Sequence, residues 1–312
     1  MAGVWMQKMR QVLVKNGQVV TCNQYQNAKD WLSSAPRGAY TTARTVCRNS
    51  VFEFESHVER LSESTLLILR ESAGDDEDSY RYLTEPARIR PEVLSCVKES
   101  IKVFSEENPE FDGEYRLTML LTWGSVNGKQ KHDLFCHAAA LPDRPSWESG
   151  DQIRAGILGQ PRENAIAKDS EWVRQRKHLE QKMPIDTNEM LLADGGKLFE
   201  GLSSNFYAVK NGKVITADEG ILKGTVRRLI LKVCQDQNIP VVLQPPEVQD
   251  IKKWDGAFLS STSRLLLPLT ELTLYAEENM QPLETRKFEK DELIKTLDAL
   301  VQREILNHST RL

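Results

Sequence analysis

Lys168 stands just ahead of a predicted helix. Further along come a carboxylate and a run of hydroxyls, Glu200-Gly201-Leu202-Ser203-Ser204-Asn205-Phe206, and then Gly224-Thr225-Val226 where a second helix is predicted to begin. A lysine amine fixed on rigid backbone, facing inward and with its pKa lowered, is a nucleophile toward carbonyls and a carrier of protons. A helix that opens on glycine leaves the N–H groups of Thr225 and Val226 without intrahelical partners at the positive end of its dipole, where a phosphate is stabilised. The pattern therefore offers an amine and a seat for a phosphate, the two things that pyridoxal phosphate needs from a protein.

The elements that must position these groups can be read from periodicity. Leu191-Leu192, Leu198 to Glu200, Phe206 to Val209 and Val214 to Thr216 read as strands, separated by turns at Gly195-Gly196, at the hydroxyl run and at Asn211-Gly212. Asn-Gly between apolar runs is a strong hairpin signal. After Gly224, the residues Val226, Leu229, Ile230 and Val233 fall at i, i+3, i+4 and i+7, so a helix starts there. Ala165-Ile166-Ala167 reads as the end of a strand, with Asp169 or Ser170 capping a helix over Trp172 to Met183.

Five segments, taken in order, carry a resemblance: Gly38-Ala39-Tyr40-Thr41-Thr42-Ala43-Arg44, the stretch from Phe52 through His57-Val58-Glu59-Arg60-Leu61, the Glu200 to Phe206 run, Ile221 to Arg227, and Leu259-Ser260-Ser261-Thr262-Ser263 with Pro268. Over about Gly38 to Pro268 the chain resembles the class IV aminotransferases. These are the fold-type IV pyridoxal phosphate enzymes, which include D-amino acid aminotransferase, branched-chain aminotransferase and aminodeoxychorismate lyase.

The resemblance implies roles. Lys168 would form the Schiff base with the cofactor aldehyde and then shuttle the substrate's α-proton; the bland alternative is a surface lysine. Lys177 and Lys182, beside Arg174 and Arg176, read better as a solvated helix face. Glu200 would hydrogen-bond the protonated ring nitrogen and keep the ring an electron sink. Arg60 would fork onto the phosphate, against the alternative of a surface pair with Glu59 or Glu63. Ser203, Ser204, Asn205 and Gly224 fall within the cofactor motifs, Thr225 and Val226 supply backbone donors, and Ser261 and Thr262 offer hydroxyls or amides. Without the resemblance those hydroxyls would be ordinary turn formers.

The chain also departs from the pattern. Where D-amino acid aminotransferases place an arginine shortly before a histidine to hold the substrate carboxylate, this sequence has Trp123-Gly124-Ser125. Trp123 either walls the pocket, favouring an apolar or aromatic substrate, or is a core residue. Tyr40 matches a pocket tyrosine of the family. Ser263 and Arg264 close the hydroxyl loop, and Arg264 either reads a carboxylate or faces solvent. Arg44 and Arg116 are further candidates on strands.

Composition narrows the class. With 312 residues, 40% hydrophobic and 28% charged, the chain suits one large or two medium domains, and its apolar runs are too short to cross a bilayer. A net charge of −4 gives no domain-wide basic excess for nucleic acid. Five cysteines without C-x-x-C spacing indicate neither a disulfide framework nor a zinc site, and His57, His132, His137 and His178 suggest no metal cluster. Met1 to Gln11 holds no apolar core of signal-peptide length. A cytoplasmic protein is expected, with a removed organellar extension as the open alternative.

Along the first half the pattern predicts a hairpin over Val12 to Val20 turning at Asn16-Gly17, strands over Tyr40 to Val46 and Val51 to Phe54 turning at Arg48-Asn49, and a helix from His57 to Arg70. Asp75 to Asp78 reads as a solvated loop. A helix from Pro91 presents Leu94, Val97, Ile101 and Phe104, and strands follow over Leu117 to Trp123 and Leu134 to Leu141. Pro142 to Gly150 has turn formers and no periodicity, the composition of a linker. In the second half strands are expected over Trp254 to Ser260 and Leu265 to Leu274, and a closing helix carries Leu293, Ile294, Leu297 and Leu300.

The expected architecture is α+β in two domains: a smaller N-terminal α/β domain over residues 1–141, a linker over 142–152 and a larger C-terminal, cofactor-binding domain over 153–312. The cofactor would lodge between domains, the usual place for a ligand cleft. The activity expected is amino transfer between an amino acid and a 2-oxo acid by a homodimer, without metal, membrane or nucleic acid. The alternatives are a lyase of the aminodeoxychorismate type and an inactive family member that serves as a binding module.

Overall fold

The structure is a computed structural model that describes residues 10–71, 76–146 and 148–312, apart from the side chains of residues 76 and 77. Most of the opening Met1 to Gln11 segment, Asp75 of the acidic run and Trp147 of the expected linker lie outside the described residues. The chain divides into two compact units. One comprises the chain through Pro142 with Lys168–Val173 and Ser309–Leu312; the other comprises Asp143–Ala167 and Arg174–His308.

The first unit is built on an antiparallel sheet in the order Ser309–Arg311, Ser50–Phe52, Ala39–Val46, Tyr115–Val126, Lys129–Ala140, Val12–Lys15, Gln18–Val20. Helices Phe54–Glu71 and Pro86–Glu107 pack against strands Ala39–Val46 and Lys129–Ala140 respectively and against each other. A separate apolar cluster joins Leu13, Tyr40 and Leu120 of the strands to Trp31 and Leu32 of helix Ala28–Ser34 and to Val173. Both strand parities are thus covered. Residues 117–122 are all buried, and the alternation of Leu117, Met119 and Leu121 had marked only one of the two faces.

In the second unit the sheet runs Val241–Leu243, Lys213–Thr216, Asn205–Lys210, Lys197–Gly201, Glu189–Asp194, Arg154–Ile157, Glu271–Tyr275, Pro282–Lys287. Gly256–Ser261 pairs with Asn205–Lys210 and leads on to Leu265–Pro268. The sheet is mixed, since Val241–Leu243, Arg154–Ile157 and Glu271–Tyr275 enter parallel pairings. Its core gathers Phe206, Trp254, Leu259, Leu267 and Leu272, with the Phe206 and Trp254 rings 5.9 Å apart. Helices Thr225–Asp236 and Glu292–Glu304 pack on each other and over strand Gly256–Ser261. Val226, Leu229, Ile230 and Val233 form the buried stripe of the first of these, each worth about 1.5–3 kcal/mol on burial. The whole is a mixed α+β fold.

The tight hairpins stand where the sequence puts them. Asn16 and Gly17 (φ 50° and 79°), Gly195 and Gly196 (53° and 76°), and Asn211 and Gly212 (51° and 69°) take the left-handed conformation that two-residue turns require. Other elements differ. The register Val46 to Ser50 makes Cys47-Arg48-Asn49 a three-residue turn, so the strand expected to reach Phe54 stops at Phe52 and Phe54 already begins the helix. Helix Pro86–Glu107 starts one turn and more before Pro91, because Pro86 takes the first-turn position where a missing N–H costs nothing and Ile89 extends the buried stripe Val93, Cys96, Val97, Phe104.

The acidic run is not a loop throughout, since Asp76–Tyr80 is helical. The expected helix over Trp172 to Met183 is broken at Arg176 into Glu171–Gln175 and Lys177–Lys182. The single strand over Leu265 to Leu274 is two strands, Leu265–Pro268 and Glu271–Tyr275, with Pro268 ending the first. Among the described residues no helix is long and apolar enough to cross a membrane.

Candidate active site

Lys168 does not end a strand. Residues 163–166 form turns, Ile166 is exposed, and Lys168 leads into an isolated bridge between Asp169 and Ala39. The backbone is nonetheless fixed. Lys168 N donates to the buried Ser64 Oγ (3.0 Å), and Lys168 O accepts from Tyr40 N (2.9 Å). The next two residues are pinned as well. Asp169 Oδ2 accepts from Arg37 Nε (2.8 Å), and Gly38 N donates to Ser170 Oγ (3.0 Å) while Gly38 O accepts from Ser170 N (2.9 Å). Only glycine fits at position 38, because a Cβ there would lie 2.2 Å from the Leu121 carbonyl oxygen. Lys168 is half-buried, with Nζ 4.8 Å from the centre of the Tyr40 ring.

Arg60 lies on helix Phe54–Glu71 one turn before Ser64, so the helix that anchors the Lys168 backbone carries this guanidinium on the same side. His57, on that helix, is buried with Nδ1 2.7 Å from Thr41 Oγ1. Trp123 is half-buried opposite His132, and Gly124 and Ser125 beyond it are exposed. Arg44 and Arg116 face one another across neighbouring strands, and burial holds the Arg116 guanidinium below its ordinary pKa. Among the described residues no group of three or more His, Cys, Asp or Glu could hold a metal ion.

The second unit gathers the remaining residues into two groups. In the first, Asn205 Nδ2 donates to Leu222 O (2.7 Å) and its Oδ1 accepts from Gly224 N (3.2 Å). That clamp sets the start of helix Thr225–Asp236. Gly224 has no side chain with which to cap it, and the first intrahelical bond runs from Arg228 N to Gly224 O (3.1 Å). Thr225 Oγ1 lies 3.3 Å from Thr262 Oγ1, which brings the helix start and the later hydroxyl turn together, while the Val226 side chain is buried. The buried Glu200 carboxylate accepts from Leu222 N (3.0 Å) through Oε2.

In the second group Ser203, Ser204 and Arg264 converge on Glu189, and Arg264 also reaches Ser261. Arg264 therefore does not simply face solvent. Ser263 sits half-buried in the same three-residue turn, between Ser261 and Leu265, which are paired across the hairpin.

Two participants carried no mark in the sequence reading. Arg162 Nε lies 2.8 Å from Glu200 Oε1, and the same guanidinium donates to Ala165 O (2.7 Å) and Ala167 O (3.1 Å). Glu189 is the other. The signal for it was available: in Glu189-Met190-Leu191-Leu192 an acid opens a strand with no solvent-facing alternation, so its carboxylate had to be paired inside. Nothing local distinguishes Arg162 from a loop arginine.

The fold is that of the fold-type IV aminotransferases. A hypothetical aminotransferase from Mycobacterium tuberculosis in its PLP-bound form superposes with a TM-score of 0.69 at 16% identity, over 96% of this chain and 99% of that one. A branched-chain aminotransferase from Thermoproteus uzoniensis, with norvaline, gives 0.64 at 16% identity, over 95% of each chain. The model of the class IV amino-transferase family matches residues 38–272, and the chain belongs to that family. In sequence it is 33% identical over 95 residues to the D-alanine aminotransferase of Staphylococcus epidermidis, 30% of this chain and 34% of that protein. Such matches span about a third of the length of the curated relatives.

Proposed function

We propose that the chain is a pyridoxal phosphate-dependent aminotransferase that moves an amino group between an amino acid and a 2-oxo acid. The observation that carries this reading is the helix start at Gly224. A Cβ there would lie 2.5 Å from Asn205 Oδ1, so a side chain would displace the amide that clamps the helix start, and the uncapped amides that follow sit beside the Thr225 and Thr262 hydroxyls. That is a donor set for a phosphate. With an amine on fixed backbone at Lys168, the residues present fit pyridoxal phosphate.

Thr225 and Val226 amides and the Thr262 hydroxyl would hold the phosphate, with the Arg60 guanidinium supplying charge and Ser261 a further hydroxyl. Glu200 would take the ring nitrogen. Its Oε1 accepts from Arg162 and its Oε2 from Leu222 N, which fixes the carboxylate in place. Lys168 Nζ would hold the cofactor and carry the proton taken from the substrate's α-carbon, while the Tyr40 ring bounds the space around that nitrogen. When bound, the cofactor supplies an aldehyde and an electron-withdrawing ring. Arg264 is engaged with Glu189, which leaves Tyr40 and Trp123 as the residues proposed to meet the substrate side chain. The working form is proposed to be a homodimer, which gel filtration checks.

The test is a panel of L- and D-amino acids, with pyruvate or 2-oxoglutarate as acceptor, on protein reconstituted with pyridoxal phosphate. Formation of the donor's 2-oxo acid matched by amination of the acceptor supports the reading. Release of 4-aminobenzoate from aminodeoxychorismate without such exchange would replace it with the lyase. A protein that takes up no cofactor would be left as a binding module.

A further inference from the structure

Glu189 opens strand Glu189–Asp194 with 3% of its surface exposed, and its carboxylate is where two turns meet. Oε2 accepts from Ser203 Oγ (2.9 Å), Ser204 Oγ (2.8 Å) and Arg264 Nη2 (2.5 Å); Oε1 accepts from Met190 N (3.2 Å). Arg264 in turn donates to Asn188 O (3.1 Å), Ser203 Oγ (3.2 Å) and Ser261 Oγ (3.4 Å). Gly201 takes part through its missing side chain. A Cβ there would lie 2.8 Å from Glu189 Cγ, 2.9 Å from Cδ and 2.7 Å from Ser204 Oγ. The glycine that follows Glu200 is thereby explained: it makes room for the Glu189 carboxylate under the turn.

We propose that Glu189, clasped by Arg264, is a positioning residue that fixes the Ser203-Ser204 turn against the Ser261 to Leu265 turn and so governs how tightly the cofactor is held. The inference rests on the reading of the previous subsection. Each turn is closed by backbone bonding of its own, Gly201 N to Ser204 O (2.7 Å) in one and the Ser261–Leu265 pair in the other, and the Glu189 and Arg264 side chains add the tie of one turn to the other. A buried carboxylate satisfied by two hydroxyls, an amide and a guanidinium is a strong tie. On one side of the clasp lie Glu200 and, through the next strand, the Asn205 clamp on Gly224; on the other lie Ser261 and Thr262. Loosening it shifts groups that must sit within a fraction of an ångström to hold a rigid ligand. The same clasp occupies Arg264, which is thereby a rivet between turns.

The test is a pyridoxal phosphate titration, followed by absorbance, of the wild type, Glu189→Gln, Arg264→Gln and the double variant, with apo-protein melting temperatures measured alongside. Lys210→Gln, which breaks the Lys210–Asp250 pair (2.7 Å) in the same unit, serves as a control for general destabilisation. Glu189→Gln and Arg264→Gln should each weaken binding about tenfold or more, since each removes a charge-assisted hydrogen bond inside the protein. The double variant should be no worse than the weaker single one, because the two residues act as a unit. Lys210→Gln should bind like the wild type at matched loss of melting temperature. If both single variants bind as tightly as the wild type, the inference falls and the proposed function stands; a wild type that takes up no cofactor overturns both.

Discussion

Arg162 and Glu200 form a buried ion pair, Nε to Oε1 2.8 Å, with side chains 9% and 5% exposed. The same guanidinium closes on the carbonyls of Ala165 and Ala167, so one side chain holds both the acid proposed for the ring nitrogen and the turn that leads to Lys168. Arg162→Met would leave a buried carboxylate without its cation and three acceptors short of a donor. It should destabilise the protein by roughly 3–5 kcal/mol, read from the urea midpoint. Arg162→Met/Glu200→Gln should recover part of that loss. An unchanged midpoint for the single variant would show that the pair holds nothing.

Gly224 tests the phosphate seat. A methyl at this position meets Asn205 Oδ1 at 2.5 Å, so Gly224→Ala must push the amide away and break the clamp on the helix start. Cofactor affinity should fall about tenfold or more, roughly 1.4 kcal/mol. Asn205→Ala should fall comparably, and the pair together should fall less than the sum. Equal affinity for Gly224→Ala in a direct titration would move the phosphate elsewhere.

His137 predicts a pH dependence of stability. Its ring is buried, stacked 5.7 Å from Trp31, with Nε2 2.8 Å from Gln11 Oε1 and Nδ1 without a hydrogen-bond partner. Burial first, and then the charge of Arg116, lower its pKa from 6.5 to about 4. Below pH about 6.5 the unfolded chain binds a proton that the folded chain refuses until about pH 4. Stability is therefore full above that window and is lost as the pH falls through it, by about 3 kcal/mol. In His137→Gln this contribution is absent, so the stability gap between wild type and variant should shrink by about that amount from pH 7 to pH 4. A gap that stays constant in denaturant titrations would contradict the assignment.

Local chemistry made much of the fold legible. Asn16-Gly17, Gly195-Gly196 and Asn211-Gly212 announce left-handed turns, and the stripe from Val226 to Val233 can bury one face only as a helix. Short and exposed elements were not legible. Pro282–Lys287 pairs at a sheet edge with mostly exposed side chains, so it carries no hydrophobic pattern. At the break, the Arg176 guanidinium donates to Leu202 O, a partner that no window around position 176 contains. The same distinction runs through the candidate site. The motif around Glu200 and Gly224 is contiguous and could be read, whereas Arg162 and Glu189 are defined by whom they meet across the fold. Arg264, left open between a carboxylate reader and a solvated side chain, is tied to an acid 75 residues away.

The most direct test of the central claim is borohydride reduction of the protein loaded with pyridoxal phosphate, followed by peptide mapping of the reduced cofactor. The account predicts a single labelled lysine, Lys168, and no label in Lys168→Ala that still folds. Label on Lys177 or Lys182, or none in the wild type, would contradict it.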